Sequence, residues 1–275
     1  MQSYDTRFAF QIQPNNPRFS YETHLQDLYR GFHNHHISLD IISENDSLTE
    51  YKIVVVPAMY VLTARTAANL ERFASEGGIV VFTARTGVKD EFNTVVNLKL
   101  PGLVAKMSGI EIEEYVSIPI DQDNRVQFDL ADLEESFPTS VWADVVEPKG
   151  AQVVAHHTQD FYAGKPAATM HPFGNGRVIY LGVMGDRAYY NTIARWLCGL
   201  AGIESLLDAP EGVEVTERWQ GEQRILFVLN HTQQPQNVKL DASYTNLLDD
   251  KTMSGEVKVA PYGVLMLTLL ATQEK

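Results

Sequence analysis

Apolar positions over the first two hundred or so residues switch between a helical and an extended period, and that switching predicts the architecture. Ser20 to His36 places Leu25, Leu28, Tyr29 and Phe32 on one helical face. A short run, Leu39-Asp40-Ile41-Ile42, follows. Ile53-Val54-Val55-Val56-Pro57 is a continuous apolar segment of the kind buried on both faces of a parallel sheet. Thr63 is placed to cap a helix whose inward positions are Ala67, Leu70, Phe73 and Ala74, with Gly77-Gly78 ending it. Ile79-Val80-Val81-Phe82 then resumes the sheet. This β–α–β rhythm with short connections predicts an open doubly wound α/β domain.

After Gly109 the helical period lapses. Residues 111–118, 125–130, 141–147 and 151–157 read as strands without helices between them, which predicts antiparallel additions to the sheet. A hairpin is expected from Ala167 to Gly182, with the Asn175-Gly176 pair supplying the positive φ of its turn. Asp186 is placed to cap a last helix, with Ile193, Trp196, Leu197 and Leu200 inward. The composition changes again at Asp208-Ala209-Pro210-Glu211-Gly212, so the expected domains are 1–207 and 208–275. Beyond the boundary, five short strands (213–219, 224–230, 236–240, 255–260 and 264–270) predict a small antiparallel β-sandwich. Only Gln2-Ser3-Tyr4 precede the first loop, so the α/β domain is expected to have a truncated first strand.

Composition narrows the class without choosing a ligand. Hydrophobic residues are 44% and charged residues 21% of 275, ordinary for a globular chain. No apolar run reaches the roughly 18 residues of a membrane span, and no secretory signal opens the chain, so no membrane partner and a cytoplasmic location are expected. The single Cys198 excludes an internal disulfide and a cysteine-based zinc site. A net charge of −13, with no Lys/Arg run, argues against a nucleic-acid partner.

Candidate chemistry is mostly missing. Neither GxGxxG after a strand nor GxxxxGK[ST] occurs, so no nucleotide cofactor is expected. Class I glutamine amidotransferases carry a nucleophilic cysteine on a strand-to-helix turn. The corresponding turn here reads Thr83-Ala84-Arg85-Thr86-Gly87 and has none. Thr83 and Thr86 have no base placed beside them by the sequence, and Cys198, mid-helix, reads as a buried structural thiol. His33 and His36 sit at a helix C-terminus, where cationic side chains suit the dipole better than a metal would. Glu113-Glu114, Glu134-Glu135 and Asp249-Asp250 are adjacent in sequence, so in a strand they would face opposite ways and not span a sugar.

Several segments together carry a resemblance. They are Tyr4-Asp5-Thr6-Arg7-Phe8-Ala9 with Gln13-Pro14 and Asn16-Pro17; Tyr51 to Tyr60; Gly77 to Glu91; Trp142-Ala143-Asp144; Tyr162 to Ala167; Gly174 to Arg177; Phe227 to Thr232; and Pro261-Tyr262-Gly263. Their collinear order resembles the trimerisation domain and C-terminal β domain of glycoside hydrolase family 42 β-galactosidases. The resemblance implies a flavodoxin-like, class I glutamine amidotransferase-like sheet followed by the β domain. It implies self-association as a trimer, docking to a (β/α)8 barrel, and no cofactor or metal. That family's acid/base glutamate follows an asparagine; no Asn-Glu dipeptide occurs here, and a barrel of about 250 residues does not fit beside what is assigned. No catalytic residue is therefore carried over. The expected contact residues lie on the Arg7–Arg18 loop (Arg7, Gln13, Asn15, Asn16 and Arg18) and the Arg85–Asn93 loop (Arg85, Lys89 and Asp90). Two other readings are a free-standing carbohydrate-binding or regulatory module, and an amidotransferase-like enzyme.

Overall fold

A computed structural model describes residues 1–122 and 124–270, which divide into two compact units. One comprises Met1–Leu28 and Ile41–Leu197; the other comprises Tyr29–Asp40 and the chain from Cys198 onward.

In the first unit, β1 (Ile53–Val56) and β2 (Ile79–Thr83) run parallel with Ile53 opposite Ile79. β2 also runs parallel to β8 (Gly176–Leu181). All five residues of β2 are buried, as an unbroken apolar run predicts for a strand covered on both faces. α3 (Ala64–Ser75) begins where the Thr63 hydroxyl accepts from the Thr66 N–H at 3.1 Å, and it packs on β2 and β8. Its Leu70, Phe73 and Ala74 join Val54, Val56, Val80, Phe82, Val178 and Tyr180 in one core.

The parallel part ends at β8. β7 (Pro166–Phe173), β6 (Gln152–His157), β4 (Asn124–Phe128), β5 (Ser136–Pro148) and β3 (Ile110–Ser117) extend the sheet antiparallel, giving the order β1-β2-β8-β7-β6-β4-β5-β3. The sheet is thus open and mixed, with flavodoxin-like topology at its parallel end. After β8 the chain passes Gly182 into β9 (Val183–Gly185), which pairs with β5 and so ties the far part of the sheet back to β8. A Cβ on Gly182 would lie 2.6 Å from the Ala167 carbonyl oxygen and 3.0 Å from that of Asp144, so only glycine lets these backbones meet.

Two local expectations are corrected. The Arg7–Arg18 segment is not all loop: α1 (Tyr4–Ile12) takes its first half, because the Ser3 hydroxyl caps the Thr6 N–H at 3.3 Å and Thr6, Ala9 and Phe10 bury one face. In the β7–β8 hairpin the positive φ falls on Gly174 (57°), the position a type II′ turn reserves for glycine, and not on the Asn175-Gly176 pair. Gly176 is needed for a different reason. A Cβ there would sit 2.2 Å from the Gly78 carbonyl oxygen and 2.4 Å from that of Ala74, at the end of α3.

α2 (Tyr21–His33) and α4 (Arg187–Ala201) complete the longer helices; at the latter, Asp186 accepts from the Tyr189 N–H at 2.9 Å. The second unit has a five-stranded antiparallel sheet in the order β10 (Val213–Gln220), β11 (Gln223–Asn230), β16 (Val264–Leu269), β13 (Tyr244–Asn246), β14 (Lys251–Met253). β12 (Gln236–Lys239) and β15 (Glu256–Val259) form a two-stranded sheet, and both sheets share a core that includes Val215, Leu226, Val228, Val238, Val259 and Leu267. β13 and β14 have three residues each, too few to show an alternation, which is why the sequence did not announce them.

Leu70→Ala, at a fully buried contact of α3, is expected to lower unfolding stability by about 2–5 kcal/mol. Gly176→Ala is expected to cost about 2 kcal/mol through backbone collision. Urea titrations followed by circular dichroism measure both, and a Gly176→Ala midpoint equal to that of the unmodified chain contradicts the packing argument.

Candidate functional site

The loops after β1 and β2 are zipped to each other. The Lys89 N–H donates to the Tyr60 carbonyl at 2.8 Å, the Leu62 N–H to the Lys89 carbonyl at 3.0 Å, and the Gly87 N–H to the Met59 carbonyl at 2.9 Å. Within this pair Arg85 adopts φ 71°, an uncommon conformation for a residue with a Cβ. Its strain is held by a buried carboxylate: Asp144, on β5, accepts from the Arg85 N–H at 3.2 Å and from the Tyr180 hydroxyl at 2.7 Å. Burial raises the Asp144 pKa, while these two bonds and the Arg85 charge oppose the rise. β5 reaches this place through a bulge opposite β9, between Ser140 and Ala143, where Val141 takes φ 68°.

The Arg85 side chain is only 3% exposed. Its guanidinium carbon lies 4.0 Å from the centre of the Tyr115 ring, 4.7 Å from Trp142 and 5.4 Å from Tyr60. Its Nε is buried with no hydrogen-bond partner among the described residues. Lys89, equally buried, lies 5.2 Å from the Tyr60 ring centre and donates to the amide oxygens of Gln13 and, at 2.8 Å, Asn93. Desolvation lowers its pKa. The Asn15 amide donates to the Tyr60 hydroxyl at 3.0 Å, and that ring stacks on Phe10 of α1 with centres 4.5 Å apart. Gln13, Asn15, Tyr60, Arg85, Lys89 and Tyr115 are among the residues that border an open pocket of about 440 Å³.

Four of the eight residues singled out from sequence therefore meet: Gln13, Asn15, Arg85 and Lys89 line this one pocket. The other four are engaged in holding the frame. Asn16 is buried and donates to the Ser117 hydroxyl at 2.9 Å and the Val141 carbonyl at 3.0 Å; Arg18 donates to the Ile118 carbonyl. Arg7 pairs with Glu22 of α2, and Asp90 accepts from the N–H groups of Phe92 and Thr94 in its own loop. Sequence reasoning did not select Tyr60, Tyr115, Trp142 or Asp144 for the site. Tyr115, Trp142 and Asp144 lie in strand patterns, and Tyr60, Trp142 and Asp144 in segments that carry the resemblance, but neither signal says which strands and loops meet.

The remaining candidates resolve into structure. Contrary to the sequence, a base does stand beside Thr83: His24 Nε2 is 2.9 Å from its hydroxyl, and His24 Nδ1 is 3.1 Å from the Tyr190 hydroxyl. All of it is sealed, and the Thr83 hydroxyl also accepts from the Ala58 N–H at 2.8 Å, so this chain of bonds fastens elements together and meets no substrate. Burial pushes the Cys198 thiol up to about 11. Glu113 pairs with Lys165 and Asp249 with Lys251, both at the surface. In the second unit the Asn230 amide donates to the carbonyls of Gln234 and Ala260, each at 2.8 Å, and so organises the Asn230-His231-Thr232 turn. No group of three or more His, Cys, Asp or Glu suited to a metal occurs among the described residues, and no helix there is long and apolar enough to cross a membrane.

An amidotransferase-like sheet whose turn after β2 carries a buried arginine, joined in one chain to a small β module, defines a class of two-part scaffold. The comparisons agree. Residues 2–204 match the family model of the β-galactosidase trimerisation domain, and residues 212–269 match that of the β-galactosidase C-terminal domain. The chain is 30% identical over 269 residues to the β-galactosidase BgaP of Planococcus sp. (strain L4), covering 96% of this chain and 40% of that protein. It is 29% identical to BgaB of Geobacillus sp. (strain Y412MC61), covering 93% and 38%. The crystal structure of a β-galactosidase from Bacillus circulans sp. alkalophilus superposes with a TM-score of 0.95 at 29% identity, over 98% of this chain and 41% of that one. This chain belongs to the glycoside hydrolase family 42 β-galactosidases and corresponds to their non-catalytic trimerisation and C-terminal domains. It spans about two fifths of the length of the curated relatives it matches.

Burial holds the His24 pKa down at about 3 and that of His157 at about 4, against 6.5 for a free imidazole. The unfolded chain therefore protonates first as pH falls. The stability these two neutral rings allow is complete above pH 6.5 and is lost progressively towards pH 4 and below. Scanning calorimetry should show Tm falling through that window, with a shallower slope in His24→Gln. A variant slope parallel to that of the unmodified chain counts against the assignment.

Proposed function

We propose that this chain is the assembly portion of a family 42 β-galactosidase, acting on terminal β-D-galactosides only through a (β/α)8 barrel that docks to it. In this reading the α/β domain, 1–207, self-associates as a trimer in the cytoplasm, and the β domain, 208–275, follows it. The supporting observation is a face built for contact. Tyr4, Phe8 and Ile12 recur every four residues along α1 and are 61%, 52% and 71% exposed, so the helix carries an apolar stripe that its own fold leaves uncovered. Phe92, on the loop that carries Arg85, Lys89 and Asp90, is 81% exposed.

A second reading, a carbohydrate-binding or regulatory module, is favoured by the pocket between the Gln13–Asn15 segment and the Arg85–Lys89 loop, which joins amide and cationic groups to aromatic and aliphatic walls. Calorimetry with galactose and lactose separates the two: an assembly domain gives no saturable heat.

Light scattering after gel filtration is expected to show a trimer, and Phe8→Asp with Ile12→Asp is expected to shift the population to monomer without loss of far-ultraviolet ellipticity. The pure chain should release no nitrophenol from a nitrophenyl galactoside. Hydrolysis that copurifies with the chain, or an oligomer indifferent to the paired aspartates, would sink the assembly reading.

A further inference from the structure

The charge in the pocket is unbalanced, and nothing in an assembly role requires that. Arg85 and Lys89 are both 3% exposed, and no acidic residue is among those lining the pocket. Lys89 spends two of its three donors on neutral amide oxygens, and Arg85 is held by aromatic faces with its Nε unsatisfied among the described residues. The Asp144 carboxylate is committed to the Tyr180 hydroxyl and the Arg85 backbone N–H, and that of Asp90 to the N–H groups of Phe92 and Thr94. Asp144 offsets part of the Arg85 charge, but Lys89 has no ion pair among the described residues, and a buried cation whose donors are not all met is costly. This pair persists in a chain whose net charge is −13, where carboxylates were plentiful as partners.

We propose that the pocket binds a small hydroxylated carboxylate, such as a sugar acid, with the carboxylate between Arg85 and Lys89. A guanidinium fork matches the two oxygens of a carboxylate, and the remaining ammonium donor of Lys89 adds a third bond. The amides of Gln13 and Asn15 stand at the same rim to pair with hydroxyl groups, and the half-exposed Tyr115 ring offers an apolar wall. A volume of about 440 Å³ falls within the roughly 300–1,000 Å³ of small-molecule sites and leaves room for water beside a six-carbon sugar acid. The site stands on these residues whether or not the chain trimerises.

Isothermal titration of the 275-residue chain with sodium D-glucuronate, sodium acetate, inorganic phosphate and D-galactose tests it. Saturable heat is expected for glucuronate, weaker heat for acetate, and none for galactose. Lys89→Met is expected to weaken glucuronate binding about tenfold or more, which is about 1.4 kcal/mol. Arg85→Met is expected to abolish it. Because loss of the buried Arg85 side chain also removes its packing, a rise in the Tm of the unmodified chain with glucuronate but not galactose serves as the second measurement. Three results overturn the proposal: no saturable heat for either carboxylate, phosphate bound in preference to both, or binding unchanged in Lys89→Met. A pocket reserved for an acidic side chain of another polypeptide would give the first of these.

Discussion

The bond network of one buried carboxylate sets the geometry on which the rest of the first unit depends. Asp144 joins three places far apart in sequence: its own strand β5, the turn after β2 through the Arg85 N–H, and β8 through Tyr180. A backbone held at φ 71° costs roughly 1–3 kcal/mol and persists only where its surroundings over-determine it. Here they do, because a charge-assisted acceptor is aimed at the strained N–H in a place water does not reach. The same bond fixes where the Arg85 side chain emerges, and the aromatic rings around it follow from that.

Two cores lie on opposite sides of this constraint. Alternation along β2 sends Val80 and Phe82 into the layer with α3, while Thr83 reaches His24 of α2 and the Ala58 N–H. A neutral histidine at such a depth is a structural device: it bonds at both nitrogens without bringing in a charge. The turn that in amidotransferases presents a nucleophile is kept as a shape, and its tip carries a cation in place of a thiol. That is how a sheet of this topology serves in a non-catalytic portion of the family.

The second unit is simpler physics. Its two small sheets close on a core of aliphatic side chains, and its turns are organised by asparagines, Asn230 and Asn246, whose amides satisfy several backbone groups at once. Nothing in it concentrates charge or exposes a nucleophile beside a base among the described residues.

Local chemistry in the sequence determined most of the elements. The apolar run of β2, the Thr63 cap and the inward face of α3, the strands after Gly109 and the turn-separated strands of the β module all follow from periodicity and capping, which depend on near neighbours. The collinear segments likewise identified the family, and four of the eight chosen residues line the pocket. Other features needed the folded chain. That α1 is a helix turned on the Ser3 cap, that His24 stands beside Thr83, and that Tyr115, Trp142 and Asp144 converge on Arg85 are facts about pairs 30 to 59 positions apart or about a cap too short to register. The bulge at Val141, the β5–β9 pairing and the close approach at Gly182 bring them together. Such contacts leave no period in the sequence, because what selects them is the fit of backbones that meet only after the sheet has formed.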